Sequence, residues 1–397
     1  MDEAITPDFD HYHRAVLPAQ CVTSLGRLAA ADVRGVPAIA FRLPDGRAYR
    51  FAERDGAIAI VPGGDAPIVV ELDLAAWRDF VGEIATAAGL LYGRRVRFAA
   101  GAPVDLERWE PALRALFQQR LFFDPASAVL CDGSGAPLDL RRRFTPVDAA
   151  DDMRHFLDEA GFLHVRHVFG GDEIERLRAR VAEQAAEAAP DDGRSWWAVR
   201  RDGVRVLCRL IYLGLRVPEI AALSDDPRLV ALAALASEPV RPALDRSDGH
   251  SVVLKNADVT AGLSDLPWHR DCGLGGHPIT CPTLNMGIQL DAATAASGRL
   301  HFLAGSHRGS VHRSTLGRPD LPIVAIDTEP GDVTVHVGDV LHAAPPPEGS
   351  GPGRRALYLT FMPLRAFDVI GPGASYNDVI RLGPADARRD RAEPEPA

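Results

Sequence analysis

Two histidines and one aspartate in the second half of the chain have the residue types and spacing of metal ligands. His269 and Asp271 are separated by one residue, and His342 follows at the end of a later apolar segment. Two imidazoles and one carboxylate can bind one face of an Fe(II) ion and leave its other positions open for a co-substrate and O2. On a strand, residues i and i+2 point to the same side, so His269 and Asp271 could reach one ion. Taken alone, the triplet would equally suit a buried histidine paired with a nearby aspartate.

Other polar residues near the triplet could complete such a site. Lys255, the only lysine of the chain, is either a surface residue by chance or a compact positive charge beside the site. Asn285 and Gln289 share one face by strand alternation, so they line the site if that face is inward and are solvated if it is outward. The residues that could wall a substrate pocket, or only pack against the rest of the domain, are Trp197, Arg209, Tyr212 and Trp268.

Composition excludes several classes of function. A net charge of −10 and a pI near 5.7 argue against a nucleic-acid partner, because phosphate binding requires a positive field. The five cysteines are odd in number and show no CxxC pair, which favours a reducing compartment and a cytoplasmic location. No apolar run is long enough to span a membrane, and the acidic N-terminus is not typical of a signal peptide.

The elements around the candidate ligands predict an α+β domain. Between about residues 251 and 363, short apolar segments are separated by Gly, Pro and Asp at intervals of about ten residues, which is typical of a sandwich or jelly roll. Helical patterns precede them, and one begins at Asp172 with a spacing like that of a capping box. We therefore expect a double-stranded β-helix of the jelly-roll or cupin-like kind, with flanking helices.

From about Met153 to Pro363 the chain resembles the phytanoyl-CoA hydroxylase family of Fe(II)/2-oxoglutarate dioxygenases. The motifs that carry the resemblance are Gly161-Phe-Leu, Trp268-His-x-Asp271, Gly298-Arg-Leu-His-Phe-Leu-Ala-Gly-Ser-His307, Gly331-Asp332, His342 and Arg354-Arg355-Ala-Leu. The resemblance implies that His269, Asp271 and His342 bind iron and that Arg354 binds 2-oxoglutarate. Arg355 takes that role if the register shifts by one, and His336 competes with His342.

The resemblance also implies an activity. With Fe(II), 2-oxoglutarate and O2, such an enzyme oxidises a C–H bond and releases succinate and CO2, here on a small substrate that is apolar or linked to coenzyme A. The chain departs from the family after the distal histidine, where Ala343-Ala344-Pro345 replaces a polar run that could help to hold 2-oxoglutarate. Other groups must then supply that contact, and Lys255, Asn285 and Gln289 are the candidates. Two alternatives follow: an inactive lipid- or acyl-binding protein, and a cupin-type metal enzyme that does not use 2-oxoglutarate.

The first part of the chain predicts a smaller α+β domain. Hairpins turn at Pro44-Asp45-Gly46 and Arg54-Asp55-Gly56, and a helix follows Asp73. This order resembles a sterol carrier protein type 2-like domain, which implies an apolar tunnel; the alternative is an accessory or dimerisation module with a closed core. The expected boundaries are an N-terminal arm or short lead-in helix at 1–20, this domain at 21–122, a linker at 123–145, the catalytic domain at 146–382 and a disordered tail at 383–397. The oligomeric state is not indicated.

Overall fold

The computed structural model describes residues 8–369 and 372, except 93, 125–128, 191, 247, 262–265, 272–282, 312–320 and 348–352. The chain divides into two compact units, one formed chiefly by residues up to Asp124 and the other chiefly by the residues after it. The tail expected at 383–397 lies outside the described residues.

The first unit is a five-stranded sheet, in the order β3-β2-β1-β4-β5, with helices packed against it. Among the described strands of this unit, only β1 and β4 are parallel neighbours. Its strands are β1 (Ile39–Arg42), β2 (Ala48–Arg54), β3 (Ala57–Pro62), β4 (Ile68–Leu72) and β5 (Val96–Ala100). Its helices are α1 (Phe9–His11), α2 (Leu17–Cys21), α3 (Ser24–Asp32), α4 (Leu74–Val81), α5 (Ala87–Tyr92) and α6 (Pro103–Gln118). Both predicted hairpins are confirmed, and Asp73 caps α4 by accepting a hydrogen bond from the Ala76 amide at 2.6 Å.

The segment expected to be an N-terminal arm or a short lead-in helix is helical and forms part of this unit's core. Phe9, Leu17 and Cys21 are almost fully buried there. A π-helical turn, Tyr12–Val16, joins α1 to α2 just before Pro18. Proline lacks an N–H and clashes with the carbonyl four residues earlier, which explains the widened turn. That turn shifts the apolar positions away from regular helical spacing, which is why the sequence shows no clear periodicity.

The second unit contains two antiparallel sheets that form the expected double-stranded β-helix with flanking helices. One sheet has nine strands, in the order β11-β7-β8-β10-β18-β13-β16-β6 with β9 paired to β18, and the other has the order β12-β17-β14-β15. The strands are β6 (Phe162–Val165), β7 (Ser195–Arg200), β8 (Arg205–Leu210), β9 (Val240–Pro242), β10 (Ser251–Lys255), β11 (Val259–Ala261), β12 (Leu266–His269), β13 (Leu284–Gln289), β14 (Leu300–Leu303), β15 (Ile323–Ile326), β16 (Val333–Val337), β17 (His342–Ala344) and β18 (Arg354–Pro363). The helices are α7 (Ala150–Ala160), α8 (Gly171–Ala186), α9 (Pro218–Ala221), α10 (Pro227–Ala233) and α11 (Ala366–Val369).

The nine-stranded sheet has one apolar and one polar face. Val252, Met286 and Leu357 face the helices and belong to the main hydrophobic core, together with Phe156 of α7 and Leu177 of α8. Successive side chains on a strand point to opposite faces, so the residues between these apolar ones point toward the four-stranded sheet. The polar interior of the β-helix is therefore built from the alternate residues of β8, β10, β13, β16 and β18.

Part of the expected linker belongs to the second unit. Leu130 and Phe144 are buried in its core, and the Phe144 ring lies 5.3 Å from that of Phe156. The Phe144 amide donates to the His164 carbonyl at 2.8 Å, and its own carbonyl accepts from Arg166 at 2.7 Å. The segment holding Phe144 thus continues the nine-stranded sheet by one short bridge. The sequence did not predict this contact, because the turn-forming residues 132–137 indicated a connecting segment.

Candidate active site

Strand pairing brings the three candidate ligands together. In the antiparallel pair of β12 and β17, His269 lies directly opposite His342, and their ring centroids are 4.3 Å apart. The Asp271 Oδ1 atom lies 3.4 Å from His269 Nε2 and 3.7 Å from His342 Nε2. One ligand atom from each of these residues lies within 4.8 Å of the others. The pairing register of β12 and β17 therefore places His342 beside His269 and Asp271.

Asp271 reaches this position by a route that differs from the expected one. Strand β12 ends at His269, so Asp271 follows the strand, and its amide donates to the Gly338 carbonyl at 3.0 Å. Strand alternation alone does not set its direction. The backbone bond to the turn after β16 holds the carboxylate on the same side as His269.

Charge interactions keep the donor atoms in the protonation states that a cation requires. Burial would raise the pKa of Asp271, but His342, His269 and His336 together hold it well below its usual range. Burial lowers the pKa of His342 to about 3, despite the opposing attraction of Asp271. At neutral pH the cluster therefore presents one carboxylate and a neutral imidazole with a free lone pair.

This donor set fits a first-row divalent metal ion. Donors about 2.1 Å from one ion lie about 3 Å apart when their bonds are perpendicular, close to the separations between Asp271 Oδ1 and the two Nε2 atoms. The His342 Nδ1 atom lies 3.0 Å from the Val340 carbonyl and donates to it, which turns Nε2 toward the cluster. A second hydrogen bond of this kind commonly orients a metal-binding histidine. Two histidines and one carboxylate on one side are the pattern of non-haem Fe(II) oxygenases.

The second oxygen of Asp271 is held by two neighbouring side chains. The Asn285 amide donates to Oδ2 at 2.5 Å, and His336 Nε2 lies 3.0 Å from the same atom. Thr360 in turn donates to the Asn285 carbonyl oxygen at 2.8 Å. Oδ1 of Asp271 therefore remains directed toward the two histidines and available to a cation. Asn285 is buried and faces inward, so the alternative in which it points outward into solvent is wrong. Its amide contacts the candidate ligand Asp271.

The two adjacent arginines of β18 point to opposite faces. Arg354 is 2% exposed, and its Nε and Nη2 donate to the Gly298 carbonyl at 3.0 and 2.9 Å. Arg355 forms a two-pronged ion pair with Asp291, with Nε 2.8 Å from Oδ2 and Nη2 2.9 Å from Oδ1. The register thus places Arg354, and not Arg355, on the inner face.

Lys255 is the neighbour of Arg354 across the β10–β18 pair. It is 2% exposed, so the interpretation as a surface residue is wrong. Its ammonium group donates to the carbonyls of Ala344 and Pro345, the latter at 3.2 Å. These carbonyls follow the distal histidine in the chain. Lys255 and Arg354 therefore form a cationic end of the inner face, anchored to backbone carbonyls.

The remaining predicted residues fall into two groups. Gln289 is 1% exposed and donates to the Gly287 carbonyl at 3.0 Å, so it is inward and held within its own sheet. The four candidate wall residues are all half-buried. Arg209 forms an ion pair with Asp248 and lies 5.0 Å over the Trp196 ring. The wall residues are Trp197 on β7, Arg209 on β8, Tyr212 after β8 and Trp268 on β12.

Sequence reasoning missed Tyr358, which lies on the inner face of β18. It is close enough to Arg354, Asp271 and Arg209 for their charges to act on its phenol. The signal was present in the sequence, because residues 354, 356, 358 and 360 alternate onto one face of a strand that begins with Arg354. The position of Asn285 against Asp271 could not be found this way, since it depends on a neighbouring strand.

Comparison with known proteins agrees with this geometry. The sequence profile of a family described as phytanoyl-CoA dioxygenase (PhyH) matches residues 157–356, a range that contains all the candidate ligands and Arg354. A probable alpha-ketoglutarate-dependent hypophosphite dioxygenase from Stutzerimonas stutzeri is 25% identical over 256 residues, which cover 59% of this chain and 85% of that protein.

Solved structures with partial similarity were also found. AviO1 from Streptomyces viridochromogenes Tue57 is 26% identical, with 55% of this chain and 96% of that chain covered and a TM-score of 0.45. EctD from S. alaskensis, solved with 2-oxoglutarate and 5-hydroxyectoine, is 21% identical, with 62% and 83% covered and a TM-score of 0.47. Within the described residues, no helix combines the length and apolar character needed to cross a membrane.

Proposed function

Since the chain belongs to the phytanoyl-CoA dioxygenase family, we propose that its Fe(II)- and 2-oxoglutarate-dependent site hydroxylates a C–H bond of a small metabolite, apolar or linked to coenzyme A. The observation that carries this proposal is the convergence of His269, Asp271 and His342, with Arg354 buried on the inner face of the nine-stranded sheet. The alternatives of an inactive carrier and of a cupin-type enzyme without 2-oxoglutarate do not agree with this family membership.

We assign the metal to three side chains and the anion to two. His269 and His342 would bind Fe(II) through Nε2 and Asp271 through Oδ1, because Asp271 Oδ2 already accepts hydrogen bonds. Arg354 and Lys255 would hold the distal carboxylate of 2-oxoglutarate, since both are buried cations at the same end of the inner face. Charge-assisted pairs of this kind are short and strong, and they fix orientation.

When bound, Fe(II) and 2-oxoglutarate supply the oxidation: one atom of O2 enters the substrate C–H bond and the other enters succinate, with release of CO2. The chain contributes position and exclusion of water. His336 and Asn285 fix the carboxylate of Asp271, and Val340 fixes the ring of His342. The candidate walls, Trp197 and Trp268, offer large apolar surfaces, which supports an apolar substrate or substrate part.

A second substrate class is a small anion. The relative from S. stutzeri is named for hypophosphite, and Arg209 offers a guanidinium beside the polar interior. Oxidation of such an anion would use the same metal and co-substrate. Assaying acyl-CoA esters, free apolar acids and hypophosphite side by side, with succinate as the readout, would separate the two classes.

The proposed division of the chain assigns substrate handling to the first unit. We propose that residues 21–122 deliver or enclose an apolar substrate, a role supported by the element order that resembles a sterol carrier protein type 2-like domain. The catalytic domain at 146–382 would contain every metal and co-substrate ligand. We also propose a cytoplasmic location, which is supported by cysteines without regular spacing, of which Cys21, Cys131 and Cys208 form no disulfide bond.

A spectroscopic experiment tests the proposed site directly. Under anaerobic conditions, adding 2-oxoglutarate to the Fe(II)-loaded protein should produce a visible absorption band that neither component gives alone. Asp271→Ala should lose both the band and the bound iron, because it removes a ligand. Asp327→Ala, the same substitution at an exposed residue paired with Arg299, should keep both. Absence of the band in the unmodified protein would refute the proposed function.

A further inference from the structure

We propose, on the basis of the proposed function, that Tyr358 binds the co-substrate: its phenolic hydroxyl donates to the distal carboxylate of 2-oxoglutarate beside Arg354. The position of Tyr358 on β18 is the first support. It lies four residues after Arg354 on the same face, and Thr360 lies two residues further along. Thr360 connects through Asn285 to Asp271. Tyr358 is therefore between the cationic end of the interior and the candidate metal ligands, where a co-substrate joining the two ends must pass.

The neighbouring strands are shaped around the tyrosine ring. Gly287 of β13 lies directly opposite Tyr358 in the register. A methyl group in place of the glycine hydrogen would be 2.8 Å from Tyr358 Cε1 and 2.9 Å from Thr334 Oγ1, both closer than real contacts allow. The absence of a side chain at Gly287 thus makes room for the ring inside the β-helix.

The hydrogen-bond chemistry of the phenol suits a carboxylate. Arg354 can only donate hydrogen bonds, and its charge acts on the phenol of Tyr358. The hydroxyl of Tyr358 can donate to an acceptor that lies beside the guanidinium. Burial raises the pKa of Tyr358, so this proton is retained at neutral pH. A carboxylate placed against Arg354 would accept from the guanidinium and from the phenol together.

The sequence after the distal histidine gives an independent reason for such a donor. Ala343-Ala344-Pro345-Pro346-Pro347 contains no side-chain hydroxyl or amide. The backbone carbonyls of Ala344 and Pro345 face Lys255 and are acceptors, which a carboxylate cannot use. Tyr358 supplies from β18 the neutral donor that β17 lacks.

The test compares two ligands that differ only at the far end. Tyr358→Phe keeps the ring against Gly287 and removes the hydroxyl. Anaerobic calorimetry on the Fe(II)-loaded protein would measure Kd for 2-oxoglutarate and for 2-oxopentanoate, which has the same chain length and no distal carboxylate. The Kd for 2-oxoglutarate should rise about tenfold or more, the usual effect of losing a hydrogen bond to a charged group, while the Kd for 2-oxopentanoate and the iron content stay unchanged.

Controls separate this inference from the proposed function. Tyr49→Phe removes a buried tyrosine hydroxyl in the first unit, where it donates to Asp10, and should not alter either Kd. Equal binding of 2-oxoglutarate to Tyr358→Phe and to the unmodified protein overturns the role of Tyr358 alone. An equal loss for both ligands also overturns it, because the effect would not depend on the distal carboxylate. If the unmodified protein does not bind 2-oxoglutarate, the proposed function itself fails.

Discussion

Replacing His336 with Phe tests whether the hydrogen bonds to the carboxylate of Asp271 control the affinity for the metal ion. His336 is 1% exposed, and Nε2 lies 3.0 Å from Asp271 Oδ2. Its Nδ1 has no hydrogen-bond partner among the described residues, so Nε2 carries the proton and donates it to the carboxylate. The ring also packs 5.4 Å from Phe302 and 4.5 Å from His342. Phenylalanine preserves this aromatic packing and removes one charged hydrogen bond.

The size of the effect follows from that single bond. A hydrogen bond to a charged group contributes about 1.5–3 kcal/mol, which corresponds to about a 10- to 150-fold weaker affinity for Fe(II). Removing an outer partner of a metal ligand typically costs about 10- to 100-fold in affinity, so the two estimates agree. Asn285 still donates to Oδ2, which keeps the loss below that of removing Asp271 itself.

Anaerobic titration of the metal-free protein with Fe(II) would measure this change. His301→Phe is the matched control, because His301 is half-buried on β14 and points to the face opposite Phe302. We expect His301→Phe to bind Fe(II) with unchanged affinity. An affinity for Fe(II) that is equal in the His336→Phe variant and the unmodified protein would refute the argument that Asp271 needs two donors on Oδ2.

Three further outcomes are expected. Arg354→Leu should raise the KM for 2-oxoglutarate about tenfold or more and leave the iron content unchanged. Arg355→Leu, on the outer face, should leave that KM unaltered. The reverse result would assign the binding of 2-oxoglutarate to Arg355. A chain that begins at Pro125 should fold, bind iron and decarboxylate 2-oxoglutarate slowly. A chain that begins at Pro146 lacks the buried Phe144, and its free energy of unfolding should be about 3–5 kcal/mol lower. Equal urea midpoints for the two chains would show that Phe144 does not contribute to stability. Burial lowers the pKa of His13 from 6.5 to about 4 in the folded protein, so between these pH values the unfolded chain binds more protons than the folded one. The free energy of unfolding should therefore decrease by about 3 kcal/mol as the pH is lowered from 6.5 to 4. Urea unfolding should show a smaller fall for His13→Phe, and identical slopes against pH would contradict this assignment.

Two of the candidate metal ligands could be paired from the sequence because their spacing is local. His269 and Asp271 are two residues apart, and the apolar segments around them predict strands. Arg354 was preferred to Arg355 from its place in the motif, and strand alternation then fixes the opposite directions of the two side chains. Hairpins closed by Asp-Gly turns were predictable for the same reason, since a positive φ at Asp55 and Gly56 follows from the residue types.

Other parts of the site depend on pairing between distant strands. The contact of Asn285 with Asp271 requires β13 to lie beside β16 and β18, which no local pattern shows. His336 was considered as an alternative ligand, and only the three-dimensional arrangement places it behind the carboxylate. The sequence left an arm or a short lead-in helix open for residues 1–20, because the π-helical turn before Pro18 breaks the apolar spacing that would show these helices pack into the core.

Strand β12 carries His269, leads into Asp271, and lies at the edge of the four-stranded sheet, where β17 is its only neighbour among the described strands. An ion bound by both His269 and His342 would cross-link two chain positions about 70 residues apart. In the chain-entropy treatment, a covalent cross-link over a loop of this length adds about 4 kcal/mol to the free energy of unfolding. The ion would then dissociate when β12 separates from β17. The dissociation rate of the ion should therefore match the rate of hydrogen exchange at the amides of β12. The metal-free protein would also expose an unpaired edge more often, and metal loading should therefore protect it against edge-to-edge aggregation.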